Sequence, residues 1–392
     1  MRVLAFNDAF WPQVGGIETF LLQLTAHLYE QGHEVVVAAH RTRHEGANPF
    51  PFPVHWQPDK DRLRELVDWC DLLHLNAMHV GLLLRAARKR KAIVTTNHDV
   101  TMICPKGVKI RHDGPCTNRA GPIVCMTCLK RSNTPQPWRR LVRPPLKGLL
   151  SALTDASVVT SPWALRRYKL FHKRLIPNGA DLACFSPAPV APPPDPARLP
   201  RVIFVGRVVY EKGLQVLVEA LRRCRGAGCP FELMVCGEGP YLPEIEALVA
   251  AQGLGRLVDY RGVLKGEGLA AALRSADVAV VPSVWDEAFG LAAIEAMACG
   301  LPVIASDTGG LGGLVGELGP EMLFPRGDAA QLAQRLQALL ADPARRRATG
   351  EAGRRLAEEK YDLRRMLQAY DELFTTLTKK RAMAPSPVER GS

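Results

Sequence analysis

Short runs of β-branched and aliphatic residues recur along this 392-residue chain, each closed by a turn and followed by a segment with apolar positions three and four apart. Residues 2–7, RVLAFN, read as a strand. A Gly15-Gly16 turn then opens a helix whose Phe20, Leu21, Leu24 and Leu28 share one face, and Gly32 ends it. HEVVVAA, CDLLHLN, AIVTTNHD and ASVVTSP supply further strands. After residue 200 the same grammar restarts with RVIFVGR, FELMVCGEG, VDYRGV, ADVAVVPS and LPVIAS. Strands alternating with helical segments predict parallel α/β sheets with crossover helices.

Between the two series lies SPAPVAPPPDPARLP, whose prolines exclude both a helix and an interior strand. The expected organisation is therefore a Rossmann-like doubly wound domain over 1–180, carrying a cysteine-rich loop at 100–137, a linker at 181–200, and a second Rossmann-like domain over 201–360. Two such domains facing a central cleft would line it with strand-to-helix loops. Near the C-terminus, Leu363, Met366, Leu367, Tyr370, Phe374 and Leu377 keep helical spacing, which predicts a helix over 361–378 packing across the domain junction. Residues 379–392 lack a core stripe and are expected to be disordered.

Composition narrows the class. Apolar residues make up 47% and charged residues 23%, which excludes a disordered chain, and no apolar run is long enough to span a bilayer. The opening residues read as a strand rather than a leader, so a cytoplasmic location is expected. The net charge of +12 is lopsided: residues 1–180 hold 26 Lys and Arg against 13 Asp and Glu, whereas the remainder holds 25 against 26. A basic first half calls for an anionic partner, or else serves solubility.

The stretch VPSVWDEAFGLAAIEAMACG sets Glu287 and Glu295 eight positions apart around the predicted helix start at Gly290. Amides of Phe289, Gly290 and Leu291 at a helix N-terminus can receive phosphate, while ionised glutamates accept hydrogen bonds from hydroxyls. A nucleoside diphosphate sugar has both kinds of group; the plainer alternative is a helix cap and an exposed Glu295. In GRVVYEKG, Arg207 and Lys212 follow a strand and can neutralise a diphosphate leaving group without a divalent metal. The Gly15-Gly16 turn allows close backbone approach to a ligand, and His98 ends a strand in TTNHD.

In this order, from residue 1 to about 375, these segments resemble the family 4 glycosyltransferases, of GT-B fold, through the E-x7-E pair Glu287 and Glu295, PNGAD, GRVVYEKG and CGEGP. The resemblance implies a metal-independent, retaining hexosyltransferase that moves a sugar from a UDP-, GDP- or ADP-type donor to a glycan or lipid-linked acceptor, as in cell-envelope or exopolysaccharide biosynthesis. It implies Arg207 and Lys212 as diphosphate ligands, Glu287 on the donor sugar and Glu295 on the ribose. Gly237, Glu238 and the Arg261–Val263 segment would border the base. His98 would face the sugar and reaction centre, and Gly15-Gly16 would lie near the diphosphate and acceptor. The chain departs from the family pattern after Gly310, where LGGLVGELG replaces a proline and a glutamate.

Two features lie outside that pattern. Cys104, Cys116, Cys125 and Cys128 fall in a Gly- and Pro-rich loop, with His112 as a substitute ligand. Structural zinc is one reading; free or redox-active thiols and an iron-sulfur site are the others. In either case the loop is expected to shape the acceptor pocket. Segments 85–91, 138–150 and 166–174 mix cations with apolar residues and suit an anionic membrane surface, the alternative being solvated helix faces. A nucleotide-sugar epimerase or a phosphorylase shares the architecture and remains a rival. A zinc-containing nucleic-acid-binding protein is disfavoured, because no recognition helix follows the cysteines and a donor site has no place in it.

Overall fold

The computed structural model describes residues 1–12, 15–111, 114–116, 121–188 and 198–383. They form two compact units: Met1–Gly107, Pro135–Pro177 and the chain from Arg365 onward in the first, Val108–Thr134 and Asn178–Arg364 in the second. In chain order the strands are β1 (Arg2–Asn7), β2 (Glu34–Ala39), β3 (Val54–Trp56), β4 (Leu72–Leu75), β5 (Ala92–Asn97), β6 (Ile110–Arg111), β7 (Gly114–Pro115), β8 (Ala156–Val159) and β9 (Lys173–Leu175). There follow β10 (Arg201–Val205), β11 (Glu232–Cys236), β12 (Val258–Gly262), β13 (Val278–Val281), β14 (Val303–Ser306) and β15 (Leu323–Phe324).

The first unit holds a seven-stranded parallel sheet, β3-β2-β1-β4-β5-β8-β9. Parallel strands are covered on both faces, so β4, LLHL, and β8, ASVV, are buried at every position. The helix Gly16–Glu30 buries Phe20, Leu21, Leu24 and Leu28, the stripe read from the sequence. The last helix, Leu363–Ala382, buries Met366, Leu367, Tyr370 and Phe374. Its Tyr370 hydroxyl lies 3.2 Å from Thr96 Oγ1, and the Phe374 ring meets His74 edge-on. That helix completes the first unit's core although it is the last element of the chain.

The second unit holds a six-stranded parallel sheet, β12-β11-β10-β13-β14-β15. Strands β13 and β14 are fully buried. Each unit is thus a doubly wound Rossmann-like α/β sheet, and the order reverses at β1/β4 in one and at β10/β13 in the other.

The boundaries differ from the sequence expectation in two places. Residues 108–134, assigned from the sequence to the first domain, group with the second unit, because Ile110 enters that unit's core and Lys109 pairs with Asp286. The final helix runs to Ala382, beyond the expected 378. Of the proline-rich linker, residues 189–197 lie outside the described residues, as do 384–392 of the expected tail. No helix among the described residues is long and apolar enough to cross a membrane.

Candidate active site

In the second unit the loops after β10 and β13 flank the point where strand order reverses, which is where open α/β sheets bind ligands. Lys212, after β10, donates from Nζ to Glu287 Oε1 at 2.8 Å, and the Ser283 hydroxyl donates to the same oxygen. The ammonium also lies 5.8 Å from the Trp285 ring centroid. Burial pushes the Glu287 carboxyl up, but the Lys212 charge and the hydrogen bonds from Lys212 and Ser283 outweigh it and hold it below the usual glutamate value. The ionised form is therefore favoured in spite of burial. Arg207 is exposed, and its side chain makes no hydrogen bond or ion pair among the described residues.

Main-chain contacts fix these loops. Gly213 is left-handed, with φ 76°, and a Cβ there would lie 1.8 Å from the Pro282 carbonyl oxygen. The Val284 amide donates to Glu211 O at 2.9 Å. On the other flank a Cβ at Gly237 would lie 1.9 Å from Gly206 O, and one at Gly239 2.2 Å from Val208 O. Gly309 packs its α-carbon onto the Glu287 backbone, and the Gly310 amide donates to Glu287 O at 2.6 Å. The loop after β14, where the chain departs from the family pattern, therefore supports the Glu287 main chain.

Beyond Gly290 (φ 129°) the helix Leu291–Ala298 begins. The amides of Phe289, Gly290 and Leu291 donate to no described residue, as expected of a helix start. Glu295 lies just past the first turn, half-buried, and its side chain makes no hydrogen bond or ion pair to a described residue. Burial pushes its carboxyl up to about 7. The two glutamates are thus in opposite conditions, one clamped and ionised, the other desolvated and unpaired. Farther along the sheet edge, Cys236 pairs with Gly262, which brings Gly237 and Glu238 beside the Arg261–Val263 segment. Val263 is exposed, and Arg261 is held by Asp259 at 2.7 Å.

The sequence reading missed Asp286. Buried beside Glu287, it accepts from Lys109 on one oxygen and from Arg326, after β15, on the other. The acidic doublet Asp286-Glu287 was a visible signal for Asp286; nothing local marks Lys109 or Arg326 as its partners.

In the first unit His98 follows β5, and its Nε2–H donates to Asn76 Oδ1 at 3.0 Å, beyond the end of β4. Phe20 meets the ring edge-on at 4.5 Å. Burial lowers the imidazole to about 4 against a smaller opposing effect of Asp99, so the ring is neutral at pH 7 and Nδ1 can accept. Gly15 caps the helix Gly16–Glu30, with a Cβ position 2.5 Å from Glu18 Oε2.

The cysteines are divided between the units: Cys104 in the first, Cys116, Cys125 and Cys128 in the second. Among the described residues no group of three or more His, Cys, Asp or Glu is placed to hold a metal ion. His112 lies outside the described residues.

Two parallel doubly wound sheets, with a lysine–glutamate pair at the reversal point of one, define the architecture of a GT-B glycosyltransferase. Residues 14–183 match the family described as Glycosyltransferase Family 4, and residues 192–356 match Glycosyl transferases group 1. The chain belongs to the family 4 glycosyltransferases. It is similar to the 2-deoxystreptamine N-acetyl-D-glucosaminyltransferase of Streptomyces fradiae, with 29% identity covering 89% of this chain and 90% of the relative. The match to the 2-deoxystreptamine glucosyltransferase of Streptomyces kanamyceticus, at 39% identity, spans only 41% of each protein. Among solved structures, sucrose-phosphate synthase from Thermosynechococcus elongatus superposes with a TM-score of 0.72 at 25% identity, covering 97% of this chain and 99% of that one. An Anabaena protein solved with UDP and glucose gives 0.71 at 18% identity, covering 95% and 99%.

Proposed function

We propose that the protein is a retaining glycosyltransferase that moves a sugar from a nucleotide-sugar donor to a glycan or lipid-linked acceptor in cell-envelope or exopolysaccharide biosynthesis. The observation that carries this reading is the Lys212–Glu287 contact at the β10/β13 reversal, with the unpaired Glu295 eight residues further on. Lys212 and Glu287 satisfy one another. A donor's diphosphate takes up Lys212 and the exposed Arg207, while its sugar hydroxyls replace the hydrogen bonds that Glu287 now receives. The amides of Phe289, Gly290 and Leu291 add donors to phosphate. Glu295, once ionised, takes the ribose hydroxyls, which supply the hydrogen bonds its burial denies it. Gly237, Glu238 and Arg261–Val263 border the base.

In the transfer, the acceptor oxygen bonds to the anomeric carbon on the face from which the diphosphate oxygen departs. The acceptor's proton passes to that departing oxygen. Two cations on the diphosphate stabilise the leaving group in the role a divalent metal would otherwise fill, and no carboxylate nucleophile is required. His98, neutral at pH 7, is assigned to the sugar hydroxyls because its Nδ1 can accept from one of them while Nε2–H is held by Asn76. The two relatives act, by their names, on 2-deoxystreptamine, a reason to include small polyhydroxylated acceptors in any screen.

The test is a thermal-shift screen of UDP-, GDP- and ADP-sugars, followed by transfer assays with the donor that binds and NMR assignment of the product anomer. Transfer with the donor's anomeric configuration supports the reading. Phosphorolysis, epimerisation of the donor sugar or an inverted product overturns it.

A further inference from the structure

We infer that the helix Pro137–Leu150, in the first unit, docks flat on an anionic lipid bilayer through an outward-facing apolar stripe. The inference does not rest on the donor-site assignment, none of whose residues lies in this helix.

This helix is amphipathic in the opposite sense to the other helices of the unit. A crossover helix turns its apolar stripe to the sheet. Here no residue is fully buried, and Trp138, Val142 and Leu146, spaced at i, i+4 and i+8, are 58%, 50% and 42% exposed. Leu149 extends the same face at 68%. What packs inward is the other side. A Cβ on Gly148 would lie 2.9 Å from Lys169 O, and Lys147 reaches Thr101 Oγ1 at 2.7 Å. The fold therefore holds four large apolar side chains in water, an unfavourable arrangement unless something apolar covers them.

Charge identifies the cover. Arg139 and Arg143 run along one edge of the stripe, and the helix has no acidic residue. Residues 135–177 carry nine Lys and Arg against one acid, Asp155. A second copy of this chain would bring like charges together, whereas an anionic headgroup layer complements them. A tryptophan at one end of such a helix suits the headgroup level, where its ring is apolar and its N–H is wet. Just past the helix, the exposed Leu153 joins His172, Arg174, Lys380 and the Arg381–Asp155 ion pair in lining a cavity of about 450 Å³. Interfacial helices of this composition lie in the membrane plane rather than across it.

The test is flotation of the full chain with vesicles of phosphatidylcholine alone and of phosphatidylcholine with one-third phosphatidylglycerol, at low and high salt. The expected result is binding to the anionic vesicles only, weakened about tenfold at high salt. Val142→Glu with Leu149→Glu is expected to abolish it, and Arg139→Glu with Arg143→Glu to lower it about tenfold or more. All four side chains lie at the surface, so these variants should keep the wild-type melting temperature; Ile123→Glu, exposed in the other unit, is the control that should bind as wild type. Binding that ignores lipid charge, or survives the paired glutamates, overturns the inference. A dimer seen by sedimentation equilibrium that those glutamates dissolve overturns it in favour of a second copy as the cover.

Discussion

Lys109 and Asp286, 177 positions apart, form an ion pair in which both side chains are buried, and Arg326 closes on the other carboxylate oxygen. The pair joins the cysteine-bearing segment to the loop that carries Glu287. Replacing Lys109 by Met leaves a buried aspartate with one cation, for a loss of about 2 kcal/mol. Urea unfolding would measure it, and the Lys109→Met, Asp286→Asn double variant should recover part of the loss. The donor KM should rise in the single variant, since the loop beside Glu287 is then held from one side only.

Lys212 and Glu295 should separate kinetically. Lys212→Ala is expected to lower kcat by about a hundredfold or more, because a cation on the leaving group acts chiefly in the transition state. Glu295→Ala should mainly weaken nucleotide binding, by about tenfold, as for the loss of a charged hydrogen-bond acceptor. Steady-state kinetics with calorimetric nucleotide titration distinguishes the two. Wild-type behaviour in both variants would sink the site assignment.

Glu295 and His98 should tilt the stability curve in opposite directions. The Glu295 carboxyl is raised from 4.5 to about 7, so the folded state binds more protons than the unfolded chain between those values. Its contribution is present at low pH and is lost as pH rises through about 7. The His98 imidazole is lowered from 6.5 to about 4, so its contribution is present above 6.5 and is lost as pH falls toward 4. Melting temperature against pH should therefore rise for Glu295→Gln, relative to wild type, most above pH 7. It should lose part of its acid slope in His98→Asn. Buried His74, lowered to about 3, retains the remainder.

Gly213 and Gly228 are both left-handed, at φ 76° and 74°, yet only the first has a carbonyl where a Cβ would go. Gly213→Ala should cost about 3 kcal/mol or more and depress turnover, whereas Gly228→Ala should cost about 1 kcal/mol from backbone strain alone. Equal losses in the two variants would show that backbone conformation, rather than the contact with Pro282, makes glycine necessary at 213.

Most strands were legible because parallel strands buried on both faces leave uninterrupted apolar runs, as in VAVV at β13 and VIAS at β14. The three strands missed in the two parallel sheets, β3, β9 and β15, are edge strands of two or three residues, too short or too exposed to leave such a run. Glu287, Lys212 and Arg207 could be read because each follows a recognisable strand. The Asp286 clamp could not, since Lys109 and Arg326 arrive from loops far away in sequence. The direction in which the 137–150 helix faces was equally hidden. Its spacing shows amphipathicity, but only the packing of Gly148 and Lys147 shows which side is inward.

The donor loops meet main chain to main chain at Gly213, Gly237, Gly239 and Gly309. The side chains proposed to border the base, Glu238 and Val263, are exposed and project from this frame. On the proposed reading, donor preference is separable from the frame: exchanges at exposed positions such as Val263 or Glu238 should retune what is recognised while the frame keeps its shape. Libraries confined to those projecting positions, with the glycines untouched, are the natural route to new donors on this scaffold.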